Sequence, residues 1–143
     1  VRHCGGACVL FVKDGKIALV RQYRYLYGKE IYEIPAGKMD SGEQPDIAAQ
    51  RELKEETGFD AIDPVLFGVY SGPLTYHRYP NGDEVSGVDI FYLTRKVQGD
   101  ETLQKEEVTG LAYYSLDHLP SKLTPRNQQV LKDLKQALAE GKF

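Results

Sequence analysis

Residues 37–59 constrain the fold more than any other part of the chain. Pro45 suits the first turn of a helix, where its missing N–H is not needed, and Gly58 suits the position just after a helix end. We therefore predict a helix over residues 45–57. Spacings of three and four residues place three glutamates on one face of this helix: Glu52, Glu55 and Glu56.

The crowded glutamates indicate a binding site for a cation. Like charges at these spacings destabilise a helix by roughly 0.2–0.5 kcal/mol per pair. Mg²⁺ and Mn²⁺ prefer hard carboxylate oxygens, and Mg²⁺ is commonly shared with substrate phosphates. The helix face therefore predicts a divalent-cation site, whereas Ala49 and Leu53 are predicted to face the core.

Length and charge narrow the class of protein. The 143 residues suit one domain, residues 1–143, and the net charge of −3 with interleaved signs argues against duplex nucleic acid as a partner. No apolar run approaches the ~20 residues that span a bilayer and no signal-peptide pattern precedes the first strand, so we expect a cytoplasmic protein without a membrane partner. Cys4 and Cys8 would lie ~13 Å apart on a strand, beyond disulfide reach, which predicts two buried thiols.

Alternating apolar residues and turn signals predict an α/β (α+β) fold, with a mixed β-sheet sandwiched between helices. The dipeptide Asp14-Gly15 is a strong hairpin signal between strands at residues 4–12 and 17–25. The other predicted elements, in chain order, are strands at 31–34, 65–71 and 85–97, an acidic loop at 99–109, a strand at 111–115 and a terminal helix at 127–138.

Residues 37–59 also carry a complete family signature. The pattern G-x5-E-x7-R-E-U-x-E-E-x-G-U, where U is a bulky apolar residue, is matched at Gly37, Glu43, Arg51, Glu52, Leu53, Glu55, Glu56, Gly58 and Phe59. In this pattern the chain resembles the Nudix hydrolases, also called MutT-like pyrophosphohydrolases. The resemblance implies the Nudix fold and hydrolysis, dependent on Mg²⁺ or Mn²⁺, of a nucleoside diphosphate linked to another group.

The resemblance also implies roles for the residues of the signature. The metal ligands would be the Gly37 carbonyl, Glu52, Glu55 and Glu56. Glu52 would either ligate metal or deprotonate the attacking water, and Arg51 would orient the carboxylates in catalysis. Glu43 would stand at the helix entrance, either supporting the ligands or binding an additional ion. Many members use a late-loop glutamate as a further ligand or as the base, and Glu107 is our candidate, the alternative being a solvated loop acid.

The sequence upstream of the signature resembles the ADP-ribose pyrophosphatase branch of the family, in residues 20–25 and 32–38. There, Arg24 is a predicted phosphate contact, the alternative being an ordinary surface arginine. Glu33 would either contribute to metal binding or face solvent from a strand.

Downstream, the resemblance points to other substrates as well. Pro73 lies near a proline of the ADP-ribose enzymes, or merely ends a strand, and Arg78 lies in a loop similar to small Nudix proteins of unassigned substrate. Asn127 resembles the purine contact of MutT proteins that cleave nucleoside triphosphates, although it also suits a helix N-cap. Pro73, Arg78 and Asn127 are thus predicted substrate contacts.

The expected substrate is a small-molecule nucleotide, with ADP-ribose or a nucleotide sugar first. The alternatives are a nucleoside triphosphate pyrophosphohydrolase and a non-catalytic module that senses nucleotides. A homodimer is a further expectation.

Overall fold

The computed structural model describes residues 2–24, 28–103 and 108–143, with the backbone alone for residues 2–4. The strands are β1 (Arg2–Lys13), β2 (Lys16–Arg24), β3 (Lys29–Glu33), β4 (Ala36–Lys38), β5 (Asp60–Ile62), β6 (Val65–Tyr70), β7 (Tyr76–Arg78), β8 (Glu84–Thr94), β9 (Lys96–Gln98) and β10 (Val108–Ser115). The helices are α1 (Pro45–Thr57) and α2 (Pro125–Ala139), with a short 3₁₀ helix at Gly72–Thr75.

The predicted mixed sheet is confirmed. Within the described ranges its main path runs β10-β2-β1-β8-β6, and β3, β4 and β7 extend it by pairing with β2, β1 and β8. Strands β1 and β8 are parallel, from Arg2 opposite Val85 to Phe11 opposite Thr94, and the other neighbours are antiparallel. Strands β5 and β9 form a separate two-stranded sheet.

Strand β1 lies between the two helices and packs against both. Successive side chains of a strand point to opposite faces. One set of β1 side chains, Cys8, Leu10 and Val12, shares a core cluster with Val130, Leu131 and Leu134 of α2. The other set, Ala7 and Val9, packs with Ala48, Ala49 and Leu53 of α1. The sheet is therefore sandwiched between helices, and Ala49 and Leu53 face the core as predicted.

Local turn chemistry explains the ends of the elements around the site. Asp14 and Gly15 adopt φ values of 53° and 75°, so they form the predicted two-residue connection between β1 and β2. Helix α1 begins at Pro45 and ends before Gly58, whose φ of 85° favours glycine. The predicted bounds of α1 are confirmed.

Three predicted elements need correction. The strand at 85–97 divides into β8 and β9, because the Thr94 hydroxyl contacts the Ile62 and Lys96 carbonyls and the chain turns to pair with β5. Strand β10 begins at Val108, inside the predicted acidic loop. The terminal helix begins at Pro125, because Thr124 accepts a hydrogen bond from the backbone N–H of Asn127 and is the N-cap. The prediction of Asn127 as the N-cap was therefore wrong.

Within the described part of the chain, neither helix has the length and apolar character needed to cross a membrane.

Candidate active site

Arg51 joins the loop before α1 to the helix itself. Its Nε and Nη2 donate to the two carboxylate oxygens of Glu43 at 2.9 and 3.0 Å. Its Nη1 donates to Glu52 at 2.9 Å, and Nη2 also donates to the Lys38 carbonyl at 3.1 Å. Glu55 lies farther away, with both oxygens at 3.5 Å from Nη1. One guanidinium thus sets the positions of two carboxylates closely and of a third loosely.

The bidentate pair between Arg51 and Glu43 is a charged anchor. Hydrogen bonds from Arg51 lower the pKa of Glu43 to about 2, and the backbone N–H of Asp40 adds to the shift. Glu43 is therefore ionised throughout the physiological pH range. Its position at the entrance of α1, with its acceptors directed to Arg51, places it as a support for the neighbouring carboxylates.

Glu52 lies directly over the backbone of Gly37. A Cβ atom on Gly37 would stand 2.0 Å from the Glu52 carboxyl carbon and 2.2 and 2.3 Å from its oxygens. The Glu52 side chain is only 7% exposed. The absence of a side chain at Gly37 is therefore what allows the carboxylate to reach the backbone of β4, beside β1.

Glu55 and Glu56 lie in different surroundings, although both follow Glu52 on the helix. Glu55 is 41% exposed in its side chain, whereas Glu56 is 1% exposed. The negative charge of Glu56 reaches Cys8 of β1, on the sheet side of the helix. The three glutamates were predicted to share one face of α1, and the exposure of their side chains across that face falls from Glu55 at the solvent to Glu56 in the interior.

The donor set fits a hard divalent cation in its chemistry. In the described ranges, no three His, Cys, Asp or Glu side chains converge closely enough to hold a metal ion by themselves. However, the carboxylate of Glu52, which lies over Gly37, and that of the buried Glu56 carry oxygen donors of the kind that Mg²⁺ and Mn²⁺ prefer. The Gly37 carbonyl remains a predicted ligand.

Two pockets meet on the β4 side of the site, and the side chains of Glu52, Glu55 and Glu56 line neither of them. The larger encloses about 630 Å³ and the smaller about 340 Å³. Five residues line both: Arg24, Glu33, Tyr79, Asp89 and Arg126. Gly37 and Lys38 line the smaller pocket, and aromatic side chains of Tyr23, Tyr76 and His77 line the larger. The pockets therefore form one cleft that leads from an aromatic chamber to Gly37, and because Glu52 lies over Gly37 we call this the carboxylate end.

Arg24 and Glu33 form a charged pair in the shared wall. Arg24 Nε and Nη2 lie 2.7 and 2.6 Å from the same carboxylate oxygen of Glu33. The Glu33 side chain is 11% exposed, which contradicts the alternative of a solvent-facing strand residue and leaves a contribution to metal binding as a prediction. Arg24 is 44% exposed, and its guanidinium lies at the cleft surface, where a phosphate could meet it.

Cys8 lines the smaller pocket but does not act there as a charged group. It is 1% exposed, which confirms the predicted buried thiol. Burial raises the pKa of the Cys8 thiol to about 12; Arg126 opposes this shift, while Asp89, Glu56 and Glu33 add to it. The thiol is therefore neutral at physiological pH and is a poor nucleophile.

The other predicted site residues are distributed unevenly. Pro73 lines the larger pocket, whereas the exposed Arg78, on β7, lines neither pocket. Asn127 is fully buried and stands behind the wall rather than in it. Glu107 lies outside the described residues.

Sequence reasoning missed three residues that line both pockets, Tyr79 and the charged pair Asp89 and Arg126. Asp89 interrupts the apolar run of β8, which is a signal of a charged residue with a specific partner. Arg126 stands next to Asn127, but its direction depends on how α2 packs, which the local sequence does not reveal.

Known proteins are similar to this chain in sequence. A family model for the NUDIX domain matches residues 2–134. An ADP-ribose pyrophosphatase of Bacillus subtilis is 52% identical over 111 residues, which cover 76% of this chain and 60% of that protein. An ADP-ribose pyrophosphatase of Methanocaldococcus jannaschii is 33% identical over 121 residues, covering 85% of this chain and 66% of that protein. The chain thus spans about two-thirds or less of the length of these relatives.

Solved structures show the same fold. The crystal structure of a MutT NUDIX hydrolase from Burkholderia pseudomallei superposes with a TM-score of 0.79 at 26% identity, covering 92% of this chain and 98% of that one. The solution structure of the E. coli ORF135 protein superposes with a TM-score of 0.75 at 19% identity, covering 98% of this chain and 94% of that one, a likeness of fold alone. Taken with the matched family model and the site geometry, this shows that the chain belongs to the Nudix family.

Proposed function

We propose that this protein hydrolyses the pyrophosphate bond of a nucleoside diphosphate linked to another group, with Mg²⁺ or Mn²⁺ as cofactor. The observation that carries the proposal is the continuity of the cleft. The aromatic chamber and the carboxylate end share one wall that contains two arginines, Arg24 and Arg126. A nucleotide with its base in the chamber would extend its phosphates along that wall toward Glu52.

The carboxylate end supplies the groups for metal-assisted hydrolysis. Gly37, Glu55 and Glu56 would hold the cation, and Glu52 would be a further ligand if another carboxylate serves as the base. Once bound, the cation supplies neutralisation of the phosphate oxygens and a lowered pKa for a coordinated water. Arg51 keeps Glu52 in place through the 2.9 Å hydrogen bond and so limits its reorientation during the reaction.

Hydrolysis requires a base that takes one proton. Water oxygen attacks one phosphorus, the bond from that phosphorus to the bridging oxygen breaks, and the electron pair leaves with the departing phosphate. Glu52 accepts the water proton in this proposal, with Glu107 as the alternative base. General base catalysis requires a carboxylate within hydrogen-bond reach of the attacking water, so each assignment is a prediction for kinetics of the corresponding glutamine variant.

The larger pocket favours ADP-ribose as the first substrate. Its volume of about 630 Å³ lies within the range of small-molecule sites. Tyr23, Tyr76 and His77 offer ring faces and edges for an adenine base, and Arg24, which lines both pockets, is the proposed phosphate contact, with Pro73 as a further proposed contact in the larger pocket. The relatives from B. subtilis and M. jannaschii, both ADP-ribose pyrophosphatases, support the same substrate class.

Cleavage of nucleoside triphosphates is the second candidate. It rests on the resemblance of residues 124–127 to the MutT proteins that cleave nucleoside triphosphates, and the similar structure from B. pseudomallei also carries the name MutT. The two reactions differ in their products, which are AMP and ribose 5-phosphate from ADP-ribose, but a nucleoside monophosphate and pyrophosphate from a triphosphate.

Turnover by the purified protein tests these readings. ADP-ribose, nucleotide sugars, dinucleoside polyphosphates and nucleoside triphosphates would be incubated with Mg²⁺, with Mn²⁺ and with EDTA, and the products separated by chromatography. We expect AMP from ADP-ribose with either metal and none with EDTA. Nucleotide binding without turnover of any substrate would instead identify a non-catalytic sensing module. Light scattering of the same preparation tests the expected homodimer.

A further inference from the structure

Arg126 occupies a prominent place in the cleft. It is the second residue of α2, two positions after the N-cap Thr124, and it lines both pockets where they meet. Thr124 and Pro125 line the larger pocket beside it, so the positive end of the helix dipole faces the same space. The location suits an anion better than a neutral group.

Three groups hold the Arg126 guanidinium in one orientation. Nη1 donates to Asp89 at 2.9 Å, and Nε and Nη2 donate to the Asn127 side-chain oxygen at 3.2 and 2.9 Å. The guanidinium carbon also lies 5.5 Å from the centre of the Phe91 ring, at cation–π distance. An arginine fixed in this way loses little freedom when a ligand binds, which favours affinity.

The contacts that hold Arg126 leave some of its N–H groups unused. A guanidinium has five N–H groups, of which these hydrogen bonds use three. Across the described residues, Asp89 is the one carboxylate in ion-pair distance of Arg126. Arg126 keeps 20% of its side chain exposed, at the surface shared by the two pockets. A diphosphate in the cleft would therefore meet a charged fork with unused donors.

Among the described residues, the side chain of Asn127 hydrogen-bonds with Arg126 alone. It is fully buried, its side-chain oxygen accepts twice from Arg126, and its amide nitrogen has no hydrogen-bond partner in the described part of the chain. Leaving a buried N–H group unsatisfied costs free energy, which must be offset by the contact that the oxygen makes.

We propose that Arg126 binds the diphosphate of the substrate, and that Asp89 and Asn127 are positioning residues that aim it. The proposal rests on the nucleotide cleft of the proposed function and adds the residue that recognises its charge. Arg24, at the end of β2, lines the same two pockets and would be a second contact for the same group. Arginine suits this task because its planar fork matches phosphate geometry.

A purely structural ion pair between α2 and β8 makes a different prediction. Loss of such a pair would lower the stability of the fold and weaken all ligands together. Loss of a phosphate contact would weaken only ligands that carry phosphate. The two readings therefore separate when ligands with and without phosphates are compared on the same variants.

The test measures binding of the non-hydrolysable analogue α,β-methylene-ADP by calorimetry in the presence of Mg²⁺, and binding of adenosine by NMR titration. Arg126→Lys keeps the charge but loses the fork. The double variant Arg126→Met with Asp89→Leu removes the charge without leaving Asp89 unpaired, which protects the fold. We expect roughly 10- to 100-fold weaker binding of the analogue in both variants, with adenosine binding unchanged. Arg95→Ala, an exposed arginine outside both pockets, is the matched control and should bind the analogue like the wild type.

Asn127→Leu tests the positioning role. We expect it to weaken analogue binding in the wild-type background but to have no effect on binding in the Arg126→Met, Asp89→Leu background, because Asn127 acts only through Arg126. Equal losses in the two backgrounds would show that Asn127 matters to the fold rather than to Arg126.

The proposal is overturned if the Arg126 variants bind the analogue within about threefold of the wild type, a change well below that expected for a charged hydrogen bond. It is also overturned if the variants bind adenosine and the analogue with equally reduced affinity, or if the wild type does not bind the analogue. Failure of the proposed function is a separate result, since a wild type that binds the analogue through Arg126 but releases no AMP from ADP-ribose contradicts hydrolysis alone.

Discussion

Replacing Gly37 by alanine should disable the carboxylate end without disturbing the fold. The φ angle of Gly37 is not in the left-handed region, so alanine can adopt its backbone conformation. The added methyl group would, however, stand 2.0 Å from the Glu52 carboxyl carbon. Glu52 cannot retain its position in this variant.

The size of the displacement follows from contact distances. Non-bonded carbons approach to about 3.5–4.0 Å, so the carboxylate must withdraw by roughly 1.5 Å. This movement breaks or bends the 2.9 Å hydrogen bond from Arg51 and moves Glu52 away from the backbone of β4. Misplacement of a reacting group by about 1 Å can cost roughly 100-fold in rate. We therefore expect kcat for ADP-ribose hydrolysis to fall by about 100-fold.

Steady-state kinetics and thermal unfolding together provide the assay. Overpacking of this kind costs about 1–3 kcal/mol, so the variant should remain folded at the assay temperature. Gly68→Ala is the matched control, because its added carbon would meet Tyr70 at 3.3 Å, a tight contact outside both pockets. A Gly37→Ala variant with kcat within about threefold of the wild type would refute the reasoning, since the rate would not depend on where Glu52 stands.

Three further predictions concern the same site and its supports. The Glu43 carboxylate should titrate near pH 2 by carbon-detected NMR, because Arg51 lowers its pKa to about 2. The contribution of Glu43 to stability is then present above its unfolded pKa and is lost as pH falls through about 2. A midpoint near the ordinary value of 4.5 would contradict the ion pair between Arg51 and Glu43. Glu56→Gln should reduce kcat by roughly 100-fold or more while circular dichroism shows an intact fold, and near wild-type turnover would remove Glu56 from the proposed ligands. Thr124→Ala should lower the free energy of unfolding by about 1 kcal/mol and the melting temperature by roughly 3 °C, because the N-cap bond to Asn127 is lost; no change would indicate that the N-cap oxygen is dispensable.

Local signals allowed much of this fold to be predicted from sequence. The bounds of α1 follow from Pro45 and Gly58, and the first hairpin follows from Asp14-Gly15, because each signal acts on its own neighbours in the chain. The clustering of Arg51, Glu52 and Glu43 was predictable for the same reason, since one loop and one helix carry all three. Spacing along a helix translates directly into distance.

The shared wall of the cleft could not be predicted in this way. Arg126 and Asp89 are 37 residues apart and meet only because α2 packs against the sheet beside β8. The N-cap of α2 shows the same limit at short range. Threonine and asparagine both suit an N-cap, and Thr124 rather than Asn127 takes this position because Pro125 occupies the first turn of the helix.

The parallel pairing of β1 with β8 has a consequence for how the protein folds. Residues 2–11 pair with residues 85–94, so a long stretch of chain must be closed before this ladder forms, which is a slow step. Gly6 pairs with Asp89 in that ladder, and both line the smaller pocket. A chain emerging from the ribosome can therefore form α1 and the first hairpin early, but the cleft cannot be complete until β8 has been synthesised and has joined β1.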